Sequence, residues 1–183
     1  MRDHLRAVSE DLLRYTRQTS LRETDIQRRL REETATQPEA GFAAAPEQSQ
    51  FLAFLIEMMD ARRVLEVGIY TGYSTLAMAM ALPTDGHLFA CDMMEEYVAV
   101  GRPYWEEAGV APMIETQIGA AADILNRLIS EGRAASYDFA FIDCNKKDYD
   151  TYFELTMTLV RPGGVIAFDN VYQSGRVLDP ATD

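Results

Sequence analysis

From Arg63 onward, the chain alternates short apolar runs with stretches of helical periodicity. The apolar runs are Val64–Val67, Leu88–Cys91, Met113–Ile118, Phe139–Ile142 and Val165–Phe168, and the helical patterns between them lie near residues 73–82, 95–108, 120–131 and 147–160. Runs without polar alternation predict strands buried on both faces, and strands separated by helices predict parallel pairing through right-handed crossovers. The sequence therefore predicts an α/β fold with a doubly wound, mostly parallel, Rossmann-like sheet.

The N-terminal part of the chain has a different pattern, in which apolar residues recur at three-to-four spacing among charged ones. Those residues are Leu5, Val8, Leu12, Leu13, Ile26 and Leu30, and they predict amphipathic helices over 3–17 and 22–35. The stretch Thr36–Pro46 contains two prolines and a glycine, so it is predicted to be a loop, with Phe42 as a candidate cover for a ligand. Pro46 can begin a further helix over 46–60. We expect an N-terminal helical segment, 1–45, followed by one ligand-binding domain, 46–183.

Composition and charge narrow the class of protein. The chain has 183 residues, of which 48% are apolar and 25% charged, and its net charge is −12. An acidic protein is poorly suited to gripping a phosphate backbone, so nucleic acid is not the expected partner. No apolar run approaches the roughly 20 residues that span a membrane, and the N-terminus lacks the apolar core of a signal peptide. We expect a cytoplasmic protein without a membrane partner, in which Cys91 and Cys144 are reduced and mostly buried thiols.

Polar residues follow four of the five apolar runs. The runs end in Glu66-Val67-Gly68, in Asp92, in Asp143 and in Asp169-Asn170. Single acids at such points can simply terminate strands. However, parallel α/β sheets bind their ligands beyond the carboxyl ends of the strands, and these residues would meet there. The sequence therefore predicts a polar ligand site at this edge of the sheet.

The segment Gly68–Gly72 lies between the first apolar run and the next helical pattern. Glycines allow a tight turn and the close approach of a ligand, but the loop lacks the third glycine of the dinucleotide motif and also fits an ordinary strand-to-helix turn. Asp92 follows about 20 residues later, where a carboxylate can bind the hydroxyls of a ribose. The alternative for Asp92 is a cap at the start of the following helix. Together the loop and the carboxylate predict an adenosine-type cofactor.

Oxygen ligands are gathered at the last two strand ends. Asp143, Asp169 and Asn170 offer two carboxylates and an amide, which are the ligands that Mg²⁺ or Ca²⁺ prefers. Lys146 follows Asp143 by three residues and is a candidate general base, with a pKa expected to fall beside a metal and a cationic cofactor. The alternative for Lys146 is a solvated surface lysine, which is the expected state of Lys147.

These motifs resemble the cation-dependent O-methyltransferases, the family of catechol O-methyltransferase and caffeoyl-coenzyme A O-methyltransferase, with the greatest likeness to its small bacterial members. The resemblance covers about residues 46–180 and rests on four segments in the family's order: LEVGIYTGYSTLAMAMALPTDGHLFACD, RPYWEEAGV, YDFAFIDCNKKDYDTYFE and LVRPGGVIAFDNVYQSGRVLDP. It implies methyl transfer from S-adenosylmethionine to one hydroxyl of a small catechol-like acceptor. A divalent cation, Mg²⁺ or else Ca²⁺ or Mn²⁺, would hold both acceptor oxygens. We also expect a homodimer.

The resemblance also assigns roles to individual residues. It implies that Glu66, Gly68, Tyr70 and Ser74 line the methionine part of the cofactor, that Asp92 binds the ribose, and that Gly119 and Ala120 lie beside the adenine. It implies that Asp143, Asp169 and Asn170 ligate the metal and that Lys146 is the base. Gly72 and Asp143 complete the candidates for cofactor binding, and Asp143 joins Lys146 as a candidate catalytic residue.

Two departures from the family pattern leave alternatives open. The family's Asp-Ala-Asp-Lys motif is here Asp143-Cys144-Asn145-Lys146, so one negative charge is missing and the support of the metal site is expected to weaken. Family members also continue beyond the point matching residue 183 with two more strands and a helix. A truncated product, a partner chain that covers the last strand, or a shortened member with altered activity would each account for this. The alternatives to an active enzyme are therefore a non-catalytic or partner-completed cofactor-binding module and, less favoured by charge, hydroxyl methylation in tRNA.

Overall fold

A computed structural model describes residues 9–178 of the chain. The helices are α1 (Glu10–Ser20), α2 (Asp25–Thr34), α3 (Pro46–Met58), α4 (Tyr73–Ala81), α5 (Glu95–Glu107), α6 (Ala121–Ser130) and α7 (Tyr149–Leu159). The strands are β1 (Arg63–Val67), β2 (His87–Asp92), β3 (Ile114–Ile118), β4 (Tyr137–Ile142) and β5 (Val160–Phe168). Short 3₁₀ helices cover Ala40–Phe42, Ala111–Met113, Lys146–Asp148 and Gln173–Leu178. In this part of the chain, no helix is both long and apolar enough to cross a membrane.

The five strands form one parallel sheet in the order β3-β2-β1-β4-β5, which confirms the predicted Rossmann-like fold. The chain leaves β1 first toward β2 and β3 and later returns to its other side, so the strand order reverses between β1 and β4. Val67 at the end of β1 pairs with Cys91 on one side and Ile142 on the other. Because of this register, the loops that follow β1, β2 and β4 leave the sheet side by side.

Helices cover both faces of the sheet, as expected for parallel strands. Successive residues of β1 alternate between two cores: Val64 packs in the cluster on the α3, α4 and α5 side, and Leu65 in the cluster on the α6 and α7 side. Both side chains are fully buried. Leu30 of α2 belongs to the first of these clusters, and α2 contacts both α4 and α5. The segment before the sheet therefore packs on the helices that border the glycine loop.

Two elements differ from their predicted bounds by more than three residues at one end. The first helix was expected over 3–17, whereas α1 spans Glu10–Ser20, and Leu5 and Val8 lie outside the described residues. The last strand was expected at Val165–Phe168 but begins at Val160, with an irregular register around Arg161–Gly164. Pro162 and Gly163 are tolerated there because the strand is irregular and pairs on one side only in the described sheet. In the described sheet β5 pairs with β4 alone.

Candidate active site

A cavity of about 810 Å³ opens at the carboxyl ends of the strands, where the sequence predicted a ligand site. The predicted residues that line it are Gly68, Tyr70, Ser74, Asp92, Gly119, Ala120, Asp143, Lys146, Asp169 and Asn170. The structure therefore brings together the candidates from four strand ends and from the loop after β3. Glu66 and Gly72 do not line the cavity, and their predicted contact with the cofactor has no support from this arrangement.

The glycine loop, residues 68–72, requires glycine at its first position for steric reasons. Gly68 has φ +99°, and a Cβ atom there would lie 2.0 Å from the carbonyl oxygen of Asp143. The loop after β1 thus runs directly against the loop after β4. Gly72 has φ +76°, and a Cβ atom there would lie 2.3 Å from the ring of Trp105, whose Nε1 donates to the Gly72 carbonyl at 3.1 Å. Gly72 therefore packs against Trp105 of α5 and does not face the cavity.

Asp92 holds the glycine loop in place. Its Oδ2 accepts hydrogen bonds from the backbone N–H groups of Ile69 at 2.7 Å and Tyr70 at 2.9 Å, and its Oδ1 accepts from that of Met94 at 3.0 Å. Helix α5 begins at Glu95 with Met94 as its N-cap, so Asp92 is not that cap. The carboxylate also lines the cavity. That Asp92 binds a ribose stays a prediction. The structure adds a second role, which is to hold the backbone of the glycine loop.

Glu66 lies under the glycine loop and does not line the cavity. Its side chain is fully buried and accepts hydrogen bonds from Ser74 Oγ and Thr75 Oγ1, both at 2.6 Å. Burial raises the pKa of Glu66 to about 8, against the opposing effect of the two hydroxyl donors. Glu66 lies on the same face of β1 as Val64, so it is turned toward α4. The alternation along the strand was the sequence signal that could have placed it there.

Lys146 is part of a hydrogen-bonded group in the part of the cavity wall that follows β4. Its Nζ donates to Asp143 Oδ1 and to Tyr149 Oη, both at 2.7 Å. Burial lowers the pKa of Lys146, but the hydrogen bonds to Asp143 and Tyr149 outweigh it, and the net shift is upward. The predicted fall in pKa depends on the positive charge of a metal and a cofactor. Lys146 is thus not a solvated surface lysine, whereas Lys147 is exposed as expected.

Tyr149 was missed in the sequence, although it connects this group to the last strand. Its hydroxyl donates to the backbone carbonyl of Asp169 at 2.8 Å while accepting from Lys146. It follows Lys146 by three residues, which is the spacing that a short helical turn brings together.

Asn145 is the residue that departs from the family motif. Its amide oxygen accepts a hydrogen bond from the Tyr152 hydroxyl at 2.7 Å, and its amide nitrogen donates to Asp148.

The oxygen ligands predicted for a cation are arranged around this group. Burial raises the pKa of Asp143, Lys146 opposes the shift, and the neighbouring Asp169 carboxylate adds to it. Asn170 has φ +53° and its backbone N–H donates to Asp169 Oδ1 at 2.6 Å. Within residues 9–178, no three His, Cys, Asp or Glu side chains gather as a metal cluster. The predicted set needs only two carboxylates and an amide, so its donor chemistry fits a hard cation completed by water or acceptor oxygens.

Aromatic residues close the cavity on the side of the glycine loop. The rings of Tyr70 and Tyr97 lie 4.8 Å apart, and the ring of Phe42, from the predicted covering loop, meets Tyr70 edge-on at 6.2 Å. The Tyr70 hydroxyl is buried and has no hydrogen-bond partner. A buried hydroxyl without a hydrogen-bond partner costs free energy, so this hydroxyl suits a ligand that accepts or donates a hydrogen bond there. Tyr97 carried no sequence signal because it lies in a helix without a motif.

The two cysteines also border the cavity as free thiols, Cys91 buried and Cys144 partly buried. Burial raises the pKa of both thiols, to about 12 for Cys144. Both are therefore protonated at neutral pH and unreactive as nucleophiles. The expectation of reduced, mostly buried thiols agrees with this placement.

A parallel sheet with a glycine loop at its reversal point and a carboxylate after the next strand defines a Rossmann-like protein that binds an adenosine-type cofactor. Comparison with known proteins narrows this class. The model of an O-methyltransferase family matches residues 17–183. A probable caffeoyl-CoA O-methyltransferase 2 from Dictyostelium discoideum is 39% identical over 94% of this chain and 75% of its own length. Caffeoyl-CoA O-methyltransferase 2 from Petunia hybrida is 39% identical over 94% and 72%.

Solved structures agree with the sequence relatives. The O-methyltransferase TomG from Streptomyces achromogenes, in complex with S-adenosylmethionine, has a TM-score of 0.82 at 34% identity, over 91% of this chain and 74% of that one. An O-methyltransferase from Bacillus cereus, in complex with S-adenosylhomocysteine, has a TM-score of 0.84 at 30% identity, over 91% and 75%. The chain belongs to the O-methyltransferase family. It is an S-adenosylmethionine-dependent O-methyltransferase of the caffeoyl-CoA O-methyltransferase type.

Proposed function

We propose that this methyltransferase depends on a divalent cation and methylates one hydroxyl of a small catechol-like acceptor. The observation that carries the proposal is the group at the ends of β4 and β5, where the Asp143 and Asp169 carboxylates and Asn170 line one wall of the cavity. Lys146 lies in the same wall, bonded to Asp143. An oxygen-only ligand set beside a lysine suits an acceptor with two adjacent oxygens and a proton to lose.

Bound S-adenosylmethionine supplies an electrophilic methyl group on its sulfonium. The glycine loop and Asp92 form the wall against which the cofactor is oriented. Asp143, Asp169 and Asn170 would hold the cation at the ends of β4 and β5, and the cation would supply positive charge that favours a deprotonated acceptor hydroxyl. Lys146 Nζ would lose its own proton under the positive charge of the cation and the cofactor. It would then accept the proton of the reacting hydroxyl as the oxygen–methyl bond forms and the sulfur–methyl bond breaks. Positioning and electrostatic stabilisation therefore carry most of the catalysis.

The cation is tested by methyl transfer to a catechol with and without EDTA. We expect excess EDTA to abolish turnover, and Mg²⁺, Mn²⁺ or Ca²⁺ added in excess to restore it. Undiminished turnover in EDTA would contradict the role of the cation. Cofactor binding without turnover on a broad panel of catechols would support the non-catalytic module instead.

The base is tested with a matched pair of lysine variants. Lys146→Met should lower kcat by about 10²–10⁴-fold, which is the usual contribution of general base catalysis. Lys147→Met, at the exposed neighbour, should keep kcat within about twofold of wild type. Equal effects of the two substitutions would show that Lys146 is not the base.

Charge around the cavity favours a free catechol over a coenzyme A thioester as the acceptor. The charged lining residues that the structure describes are Glu39, Asp92, Asp143, Asp148, Asp169 and one base, Lys146. Phosphate groups are bound mainly by lysine and arginine, and Lys146 is already bonded to Asp143. We expect kcat/KM for catechol to exceed that for caffeoyl-CoA, with the difference shrinking as salt screens the repulsion. A preference for the thioester at low salt would contradict this choice of acceptor.

A further inference from the structure

The glycine loop is held from outside the sheet by a buried hydrogen bond. Thr34 Oγ1, at the end of α2, lies 2.7 Å from Thr71 Oγ1, and both side chains are about 1% exposed. Thr34 Oγ1 also donates to the Leu30 carbonyl at 2.8 Å. A hydroxyl has one proton, so Thr71 must be the donor in the bond between the two threonines. The conformation of Thr71, which lines the cavity, is thereby fixed by α2.

A second hydrogen bond joins the residues just before α2 to the same stretch of chain. The Tyr73 hydroxyl donates to Glu23 Oε1 at 2.6 Å. Arg31 holds the Glu23 carboxylate through two hydrogen bonds of 2.7 Å each, and the Glu23 side chain is only 8% exposed. Leu30, between the two attachment points, is fully buried in the core. The segment is thus anchored at both ends and along its length.

The two hydrogen bonds act on residues that face the cavity. Thr71 and Tyr73 both line it, and Gly72 between them is fixed by Trp105. The sheet itself holds the loop only on either side of these residues, through Asp92 at Ile69 and Tyr70 and through Glu66 beyond Tyr73. The stretch in the middle therefore depends on contacts from helices.

We propose that the segment Glu23–Thr34 is a clamp that presets the glycine loop for S-adenosylmethionine, with Thr34 and Glu23 as positioning residues. Neither residue lines the cavity, so both act through Thr71 and Tyr73. A loop already held in its binding conformation loses less conformational freedom when the ligand binds, and affinity rises accordingly. The clamp therefore affects the affinity for the cofactor directly, whether or not an acceptor is present.

The test is the dissociation constant of S-adenosylmethionine, measured by isothermal titration calorimetry on the full chain. Thr34→Val keeps the shape of the side chain but removes the acceptor for Thr71, and we expect the constant to rise about tenfold. Thr34→Ser, which retains the hydroxyl, should restore it to within about twofold of wild type. The matched control is Thr36→Val, because the exposed Thr36 hydroxyl bonds only the Glu33 carbonyl of its own turn. It should leave the constant unchanged.

A double-mutant cycle separates positioning from general stability. If the two hydroxyls act together, Thr34→Val should add nothing to the rise that Thr71→Val causes. Strictly additive effects would overturn the proposal. So would a folded Thr34→Val protein with a lowered melting temperature but an unchanged dissociation constant, since that result shows a structural role alone.

Tyr73→Phe provides an independent variant should Thr34→Val fail to fold. It removes the bond to Glu23 but leaves Glu23 paired with Arg31, so no charge is left buried alone. We expect the dissociation constant to rise by about threefold or more. An unchanged constant for Tyr73→Phe would overturn the clamp.

Discussion

The cavity has two walls that are supported differently. We call the glycine loop with Tyr73, Ser74 and Asp92 the cofactor wall, and Asp143, Lys146, Asp169 and Asn170 the proposed cation wall. On the cofactor wall, side chains from elsewhere in the chain hold every residue from Ile69 to Thr75: Asp92 at 69 and 70, Thr34 at 71, Trp105 at 72, Glu23 at 73, and Glu66 at 74 and 75. On the cation wall, Asp169 and Asn170 follow a strand that pairs on one side in the described sheet. The residues after them, Val171 and Tyr172, are exposed.

The difference in support between the two walls follows from where their strands lie in the sheet. Strand β1 lies in the middle with neighbours on both sides, so its loop can be reached by residues from many elements. The carboxylates of Asp143 and Asp169 repel each other, which contributes to the raised pKa of Asp143. A positive charge between them would remove that repulsion. The cofactor wall is therefore held by side chains from several elements, whereas the proposed cation wall is held mainly by the hydrogen bonds among Lys146, Asp143, Tyr149 and Asp169.

The largest expected effect comes from Gly68, where the two walls meet. Gly68→Ala would place Cβ against the Asp143 carbonyl, so we expect the free energy of unfolding to fall by more than about 3 kcal/mol. Gly132→Ala is the matched control, with φ +82° but no atom within 4 Å of the added Cβ. It should cost only about 1–2 kcal/mol in urea unfolding. Equal costs would mean that the close approach of the two loops is unimportant.

Asp169→Ala should affect methyl transfer without affecting cofactor binding, which would distinguish the functions of the two walls. We expect Asp169→Ala to lower methyl transfer at least about 100-fold, because a proposed ligand of the cation is lost. The affinity for S-adenosylmethionine should stay within about twofold, since the cofactor wall is intact. Asp150→Ala, at an exposed acid on α7, controls for loss of charge. Loss of cofactor binding in Asp169→Ala would erase the distinction between the walls.

Stability should respond to pH through Glu66, which lies beneath the cofactor wall and bonds Ser74 and Thr75. The folded protein keeps the Glu66 proton up to a pKa of about 8, whereas the unfolded chain loses it near the ordinary pKa of 4.5. The native state therefore binds more protons in this window, and its stability falls as pH rises, by up to about 1.4 kcal/mol per pH unit. Glu66→Gln removes this contribution. Its unfolding free energy should decline less than that of wild type between about pH 5 and 8, and identical slopes would contradict the assignment.

The smallest effect is expected at Tyr172, which follows Asp169 and Asn170 but does not line the cavity. Tyr172 is 77% exposed and Tyr73, on the cofactor wall, is 4% exposed. Tyr172→Ala should change the free energy of unfolding by less than about 0.5 kcal/mol. Tyr73→Ala should lower it by about 3 kcal/mol or more, because a buried ring is lost. Similar losses for the two variants would show that the walls are equally supported.

Much of the candidate site could be predicted from short sequence patterns. The strand positions were predicted from apolar runs, and Asp92, Asp143, Asp169 and Asn170 were placed at strand ends because each directly follows a run. The covering loop around Phe42 was expected from its prolines and glycine. Glu66 was expected beside the ligand, but the alternation along β1 turns it toward α4. The start of β5 was missed because Pro162 and Gly163 resemble a turn when read alone.

The sequence by itself determined the order and type of the elements, since helical and strand periodicity depend on residues a few positions apart. It also determined which polar groups stand at the edge of the sheet. Only the tertiary structure decided how those groups are held. Thr34 and Thr71 are 37 residues apart, and Glu23 and Tyr73 are 50 apart. No local pattern specifies such pairs, because they meet only after the helices have packed on the sheet.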